Sequence, residues 1–139
     1  MIKYLFLPIL VCMLFVSFNK AEAQEQLNIK ADNILMKVFE TGGVDMLDAI
    51  IATDFVNHAE NDKVGLDSLK QMVKGFHSNV KNLKMEIVTQ MANDNYVCDW
   101  VRFTGNNPEM VIEGMEVTRY ANGLAQEHWF FPKNQNRGN

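Results

Sequence analysis

Met115-Glu116-Val117-Thr118-Arg119-Tyr120-Ala121-Asn122-Gly123-Leu124-Ala125-Gln126-Glu127-His128-Trp129-Phe130-Phe131 is the stretch that decides the fold. Asn-Gly between two β-prone runs signals a hairpin. A type I′ turn needs positive φ at both central residues, and Asn and Gly tolerate it. A two-residue turn predicts the register. On one face Tyr120 sits beside Ala125, Thr118 beside Glu127 and Glu116 beside Trp129. On the other, Arg119 sits beside Gln126, Val117 beside His128 and Met115 beside Phe130. Both faces mix polar with large apolar groups, whereas a hairpin over a plain core alternates cleanly. One face is therefore expected to line something other than a dry core.

Working outward, Tyr96 to Thr104 reads as a strand, bounded by the turn Asn93-Asp94-Asn95 and the break Gly105-Asn106-Asn107-Pro108. Leu83 to Met91 is a strand of period two, with Leu83, Met85 and Ile87 on one face. Met110 to Tyr120 and Leu124 to Phe131 complete a meander, and the polar stretch from Lys133 to Asn139 reads as a frayed tail. Upstream, Leu27, Ala31, Ile34, Leu35 and Val38 recur at helical spacing over Gln24 to Glu40, with Lys30, Asp32, Asn33 and Lys37 around the other side. Thr41-Gly42-Gly43 ends that helix. A short helix over Val44 to Ile51 follows, then an extended piece from Thr53 to His58 and a loop over Asn61 to Gly65. A third helix opens near Asp67 and runs to about Val80, with the stripe Leu66, Leu69, Val73, Phe76 and Val80. Helices first and strands after predict an α+β domain, with helices on one face of a curved, mainly antiparallel sheet.

The start of the chain reads differently. Met1-Ile2-Lys3 is a short basic opening, Tyr4 to Phe18 is apolar, and Ala21-Glu22-Ala23 is a small-x-small site. This is the pattern of a secretory signal peptide over residues 1–23, and an exported, periplasmic or secreted protein is expected. Removing 23 of 139 residues leaves a single domain of 116, residues 24–139. Two lysines and one glutamate go with the leader, so a net charge of −4 becomes −5. No basic cluster is present, so neither nucleic acid nor an anionic membrane surface is an expected partner. Of Cys12 and Cys98 only the second survives cleavage. An intramolecular disulfide is then excluded, and Cys98, inside a strand, is expected to be buried and inert.

These residues resemble the SnoaL-like family of the NTF2-like superfamily, which includes polyketide cyclases. The resemblance rests on Phe55-Val56-Asn57-His58, Gly65-Leu66-Asp67, Asn82-Leu83-Lys84-Met85-Glu86, Asn93 to Trp100, and the close Arg119 to Trp129. It implies a cone-shaped α+β fold with a pocket at its open end, frequent homodimers, and no required metal or organic cofactor. One departure concerns the position after Glu127-His128-Trp129, often an acid/base aspartate in cyclase members. It is Phe130 here, which cannot move a proton. Thr104-Gly105-Asn106 also replaces the usual Gly-Thr-His, and the loop after it is short. These departures count against polyketide-type cyclisation.

His58 and His128 are the candidate catalytic residues, because an imidazole titrates near neutrality. The resemblance places His58 at the pocket mouth. Arg119, Trp100, Gln126, Phe130 and Trp129 are the candidate substrate-binding residues, with Arg119 suited to orient an anionic or carbonyl group. By the predicted register Arg119, Gln126 and His128 share a face, taken as the pocket side. Trp100 and Arg102 share a face of their strand, with Trp100 expected in the core or pocket wall. Asp99, opposite them, is either a buried base or a surface carboxylate. A carboxylate such as Glu116 inside a cone would be a general acid. His58, His77 and His128 show no metal-ligand spacing. Two readings stay open. One is an exported domain binding a small, largely apolar organic molecule, with proton-transfer chemistry of isomerase or cyclase type. The other is a non-catalytic binding or dimerisation module whose cone is filled by its own side chains.

Overall fold

The computed structural model describes residues 6–106 and 109–133. The first five residues of the expected leader, Asn107-Pro108, and the tail after Lys133 lie outside the described residues. Helix α1 spans Phe6–Thr41 without interruption, so it begins well before the expected Gln24. No helix among the described residues is long and apolar enough to cross a membrane. Gly42, at φ +73°, ends α1 with its amide on the Val38 carbonyl at 2.8 Å, as the Gly-Gly pair predicts. A 3-10 turn, Val44–Ala49, stands where a helix to Ile51 was expected; Ile51 already belongs to strand β1, Ile51–Asn57. A short 3-10 turn, His58–Glu60, and strand β2, Lys63–Val64, follow. The expected loop thus holds a two-residue strand, paired antiparallel to β1. Helix α2 is Leu66–Asn79. Strands β3 Lys81–Ala92, β4 Tyr96–Asn106, β5 Met110–Ala121 and β6 Leu124–Pro132 complete the chain.

The six strands form one sheet in the order β2-β1-β6-β5-β4-β3. Among the described residues only β1 with β6 is parallel; the other pairs are antiparallel. The expected α+β architecture is the one observed. An extra residue at Val88 in β3 and another at Gln126 in β6 break the ladders, and such bulges bend and twist a sheet. The concave face receives both helices. Ala31, Leu35, Met36 and Phe39 of α1 and Leu69 and Val73 of α2 pack on Phe55, Val97, Val101 and Phe103. The Phe39 ring meets Phe103 edge-on, with centroids 6.4 Å apart. Burying side chains of this size is the main stabilising contribution of the fold. Close approach shapes the far end of the hairpin: a Cβ on Gly114 would lie 2.5 Å from Phe130 Cε2 and 2.6 Å from the Phe131 carbonyl oxygen.

The hairpin turn itself is as expected, with Asn122 at φ 52° and Gly123 at φ 75°. The register is not. Tyr120 pairs with Ala125, but Arg119 pairs with Glu127, Thr118 with His128, Val117 with Trp129 and Glu116 with Phe130. Gln126 is the extra residue, and a one-residue slip exchanges the faces of everything beyond it. His128 therefore joins Glu116, Thr118 and Tyr120 on the concave side. Glu127 and Trp129 join Arg119 on the convex side.

Candidate functional site

The bulge sorts the polar residues into two clusters on opposite faces of β6. The inner cluster is built from α1, β1, β4, β5 and β6. His128 is 3% exposed and Glu116 5%. His128 Nε2 donates to Glu116 Oε2, and His128 Nδ1 lies 3.0 Å from Asn57 Oδ1. Asn57 Oδ1 also accepts from the Ala59 amide at 3.1 Å, while Asn57 Nδ2 donates to Met72 Sδ at 3.4 Å. Asn57 sits opposite His128 because β1 and β6 run parallel and pair those two residues. Both imidazole nitrogens thus face oxygens, and the pair with Glu116 is arranged to hold a proton between ring and carboxylate.

Asp32 and Asp99 form the second part of the inner cluster, each 1% exposed. The Tyr120 hydroxyl donates to Asp32 Oδ1 at 2.9 Å. As two carboxylates, neither Asp99 oxygen nor Asp32 Oδ2 has a hydrogen-bond partner. A protonated Asp32 lessens that deficit by donating to one Asp99 oxygen, and the other stays without a partner. Burial first, then the hydrogen bond and charge of Asp99, push the Asp32 carboxyl well above the usual carboxylate range. Burial, followed by the Asp32 charge, also pushes the Tyr120 hydroxyl well up. Two acids that cannot both ionise cheaply, beside an imidazole–carboxylate pair, form a proton-holding site. Among the described residues no three His, Cys, Asp or Glu side chains converge as metal ligands.

The outer cluster is half-exposed. The His58 ring stacks on Trp129 at 4.6 Å, with His58 Nε2 3.0 Å from Glu127 Oε2 and His58 Nδ1 2.5 Å from Asp62 Oδ1. Arg119 Nε and Nη2 reach Glu127 Oε1 at 2.7 and 2.5 Å. The Glu127 hydrogen bond raises the His58 pKa, and Asp62 adds to it. The His58 and Arg119 hydrogen bonds hold Glu127 below the usual carboxylate range.

The candidate residues are therefore divided. His128 is inside, and Phe130 packs against the core. His58, Arg119 and Trp129 are outside, so the two histidines do not share a site. Gln126 is the bulge residue, its amide on the Leu124 carbonyl at 3.2 Å, and because Arg119 and His128 lie on opposite faces the three do not share one. Trp100 is not in the core or pocket wall. It lies half-buried on the convex side, paired with Met115, because Val97, Asp99, Val101 and Phe103 take the inward parity of β4. Cys98 shares that convex side, half-buried rather than buried, and burial followed by the Asp99 charge raises its pKa. Asp32, placed by the sequence on the solvated side of α1, is on its buried side. Asn28, Asp32, Leu35 and Phe39 form one stripe at helical spacing, which is the signal that could have revealed it.

Among the described residues, four of the surface depressions have volumes of about 470 to 660 Å³, and none of these four is lined by His58 or His128. The interior around the inner cluster is packed by Phe39, Phe55 and Phe103.

The model of the SnoaL-like domain family matches residues 35–128, which include most of both clusters. No curated protein matches the chain. Solved structures do. A candidate polyketide cyclase of Bacillus cereus ATCC 10987 is 19% identical, with a TM-score of 0.69 over 76% of this chain and 74% of that one. A candidate ketosteroid isomerase of Kribbella flavida DSM 17836 is 9% identical, with a TM-score of 0.70 over 83% and 84%. An LEH-like epoxide hydrolase of M. tuberculosis is 13% identical, with a TM-score of 0.66 over 78% and 84%. At such identities the likeness is one of fold.

Proposed function

Because the chain belongs to the SnoaL-like domain family, we propose that it binds a small organic molecule inside the cone and moves a proton on it. The observation that carries this reading is the buried Asp32–Asp99 pair, which leaves one Asp99 oxygen unpartnered even when Asp32 donates to the other, beside Tyr120 and the Glu116–His128 pair. Buried polar groups are ordinarily hydrogen-bonded, and groups left unpaired cluster where chemistry is done. The reaction class is proton transfer next to a carbonyl. His128, balanced by Glu116, takes or returns one proton. The Asp32–Asp99 pair supplies the acid that a developing enolate oxygen needs. A candidate cyclase and a candidate isomerase among the similar structures support the same class.

Two further parts of the reading come from elsewhere. The small-x-small site after an apolar run supports export with cleavage after Ala23; a protein that stays inside the cell at an intact mass retaining residues 1–23 would contradict it. Exposed Met91, Met115 and Phe131 on the convex face support a homodimer, against which a single-chain mass by light scattering would count.

A second reading, a non-catalytic binding or dimerisation module, is favoured by the aromatic packing around the cluster and by Phe130. A thermal-shift screen of small ketones and enols separates the two. A ligand at a hundred times its Kd adds about 2.7 kcal/mol to stability. The proton-transfer reading expects that shift to vanish in Asp99→Asn and to persist in His58→Ala. A shift that survives Asp99→Asn but is lost in His58→Ala moves the site to the outer cluster and overturns the interior reading.

A further inference from the structure

On the far side of Asn57 from His128, a depression of about 470 Å³ lies between Lys63 of β2 and one side of α2. Ser68, Gln71 and Asn79 stand on it with hydroxyl and amide groups, and Met72 and Phe76 are half-buried within it. Two chains of contact lead from these to His128. Met72 Sδ accepts from Asn57, whose oxygen faces His128 Nδ1. Phe76 meets Phe103 edge-on at 6.1 Å, Phe103 meets Phe39, and Phe39 lies 6.2 Å from the His128 ring. The depression that includes Tyr120 leads to the Asp32 end of the cluster, through the Tyr120 hydroxyl on Asp32 at 2.9 Å, and not to His128. There Asn28, fully buried, is bonded to the Asp94 carbonyl and to Gln24, and stands between α1 and the 93–95 turn.

We infer that the Met72 depression is the mouth of the interior site and that Met72 is the gate that admits the ligand to His128. The inference rests on the interior cluster being a ligand site. Met72 suits the task physically. It is unbranched, with three side-chain torsions, and its sulfur is held by one weak hydrogen bond at 3.4 Å, so swinging aside costs little. Once it moves, the next groups inward are Asn57 and His128. The rim chemistry selects the ligand class: amides and a hydroxyl for a carbonyl or hydroxyl group, a thioether and a phenyl ring for an apolar body. A small carbonyl compound satisfies both.

Acylation of imidazole by diethyl pyrocarbonate, mapped by peptide mass spectrometry, tests the gate without any ligand. In wild type the half-exposed His58 is acylated and His128 is slow. Met72→Ala is expected to accelerate His128 by about tenfold or more, because labelling follows the population of the open form. Met72→Phe, which keeps the mouth filled, holds His128 at or below the wild-type rate. Leu69→Ala truncates a buried residue of the same helix outside the depression and controls for general loosening. His128 labelling that is unchanged in folded Met72→Ala, or equally fast in Leu69→Ala, overturns the gate. A screen in which wild type binds no ketone or enol overturns the ligand reading instead, and leaves the labelling pattern separately readable.

Discussion

His128→Ala is expected to lower the unfolding free energy by about 3–5 kcal/mol, the cost of leaving one member of a buried, hydrogen-bonded imidazole–carboxyl pair without its partner. Glu116 is 5% exposed and its Oε2 accepts from His128 Nε2. Alanine removes that donor, opens a cavity under Phe39, and takes a partner from Asn57 Oδ1 as well. Urea denaturation reads the loss. The double variant Glu116→Leu/His128→Leu tests the cause: removing both polar partners is expected to cost far less than removing one. A loss below about 1 kcal/mol in His128→Ala would show that the pair is solvated, as surface pairs are.

Asp32→Asn is expected to act in the opposite direction, and only above mildly acidic pH. The folded-state pKa of Asp32 is raised well above its ordinary value, so the folded protein holds a proton that the unfolded chain gives up near pH 4. The contribution of such a group is fully present below about pH 4 and is lost as pH rises toward the folded-state value. Asparagine does not titrate, can still accept from Tyr120 and can donate to Asp99. The variant is therefore expected to match wild type near pH 4 and to exceed it at neutral pH by about 1–3 kcal/mol, the penalty of a buried group lacking a partner. Thermal melts of both proteins across that range check it. Parallel curves would mean that Asp32 titrates alike in the folded and unfolded chain.

Much of the fold was legible because its signals are local. Asn122-Gly123 dictates a turn through positive φ, and Gly42 ends α1 for the same reason. The strands at Tyr96 and Met110 begin where turn residues stop. What was not legible came from the interior being polar. Reading aromatic residues inward and acids outward put Trp100 inside and left Asp32 in solvent. The cone instead takes in Asp32, Asp99 and Glu116, which Tyr120 and His128 satisfy in part. None of those partners is near its acid in sequence except along the hairpin. The register error has one cause, the bulge at Gln126. Each parity of β6 carries both polar and apolar residues, so hydrophobic pattern alone does not choose between them. That single extra residue separates His58 from His128 and decides which hairpin groups face the cone.

The most direct test of proton transfer in the interior is exchange at carbon. Small cyclic ketones that shift the melting temperature are incubated with the protein in D₂O, and loss of the α-proton signal is followed by NMR. The account predicts that wild type accelerates the exchange, and that Asp99→Asn and Glu116→Gln lower the rate by about 10²–10⁴-fold, the usual contribution of a positioned acid or base. A ketone that binds while its α-protons exchange at the buffer rate, or equally fast with both variants, would contradict it.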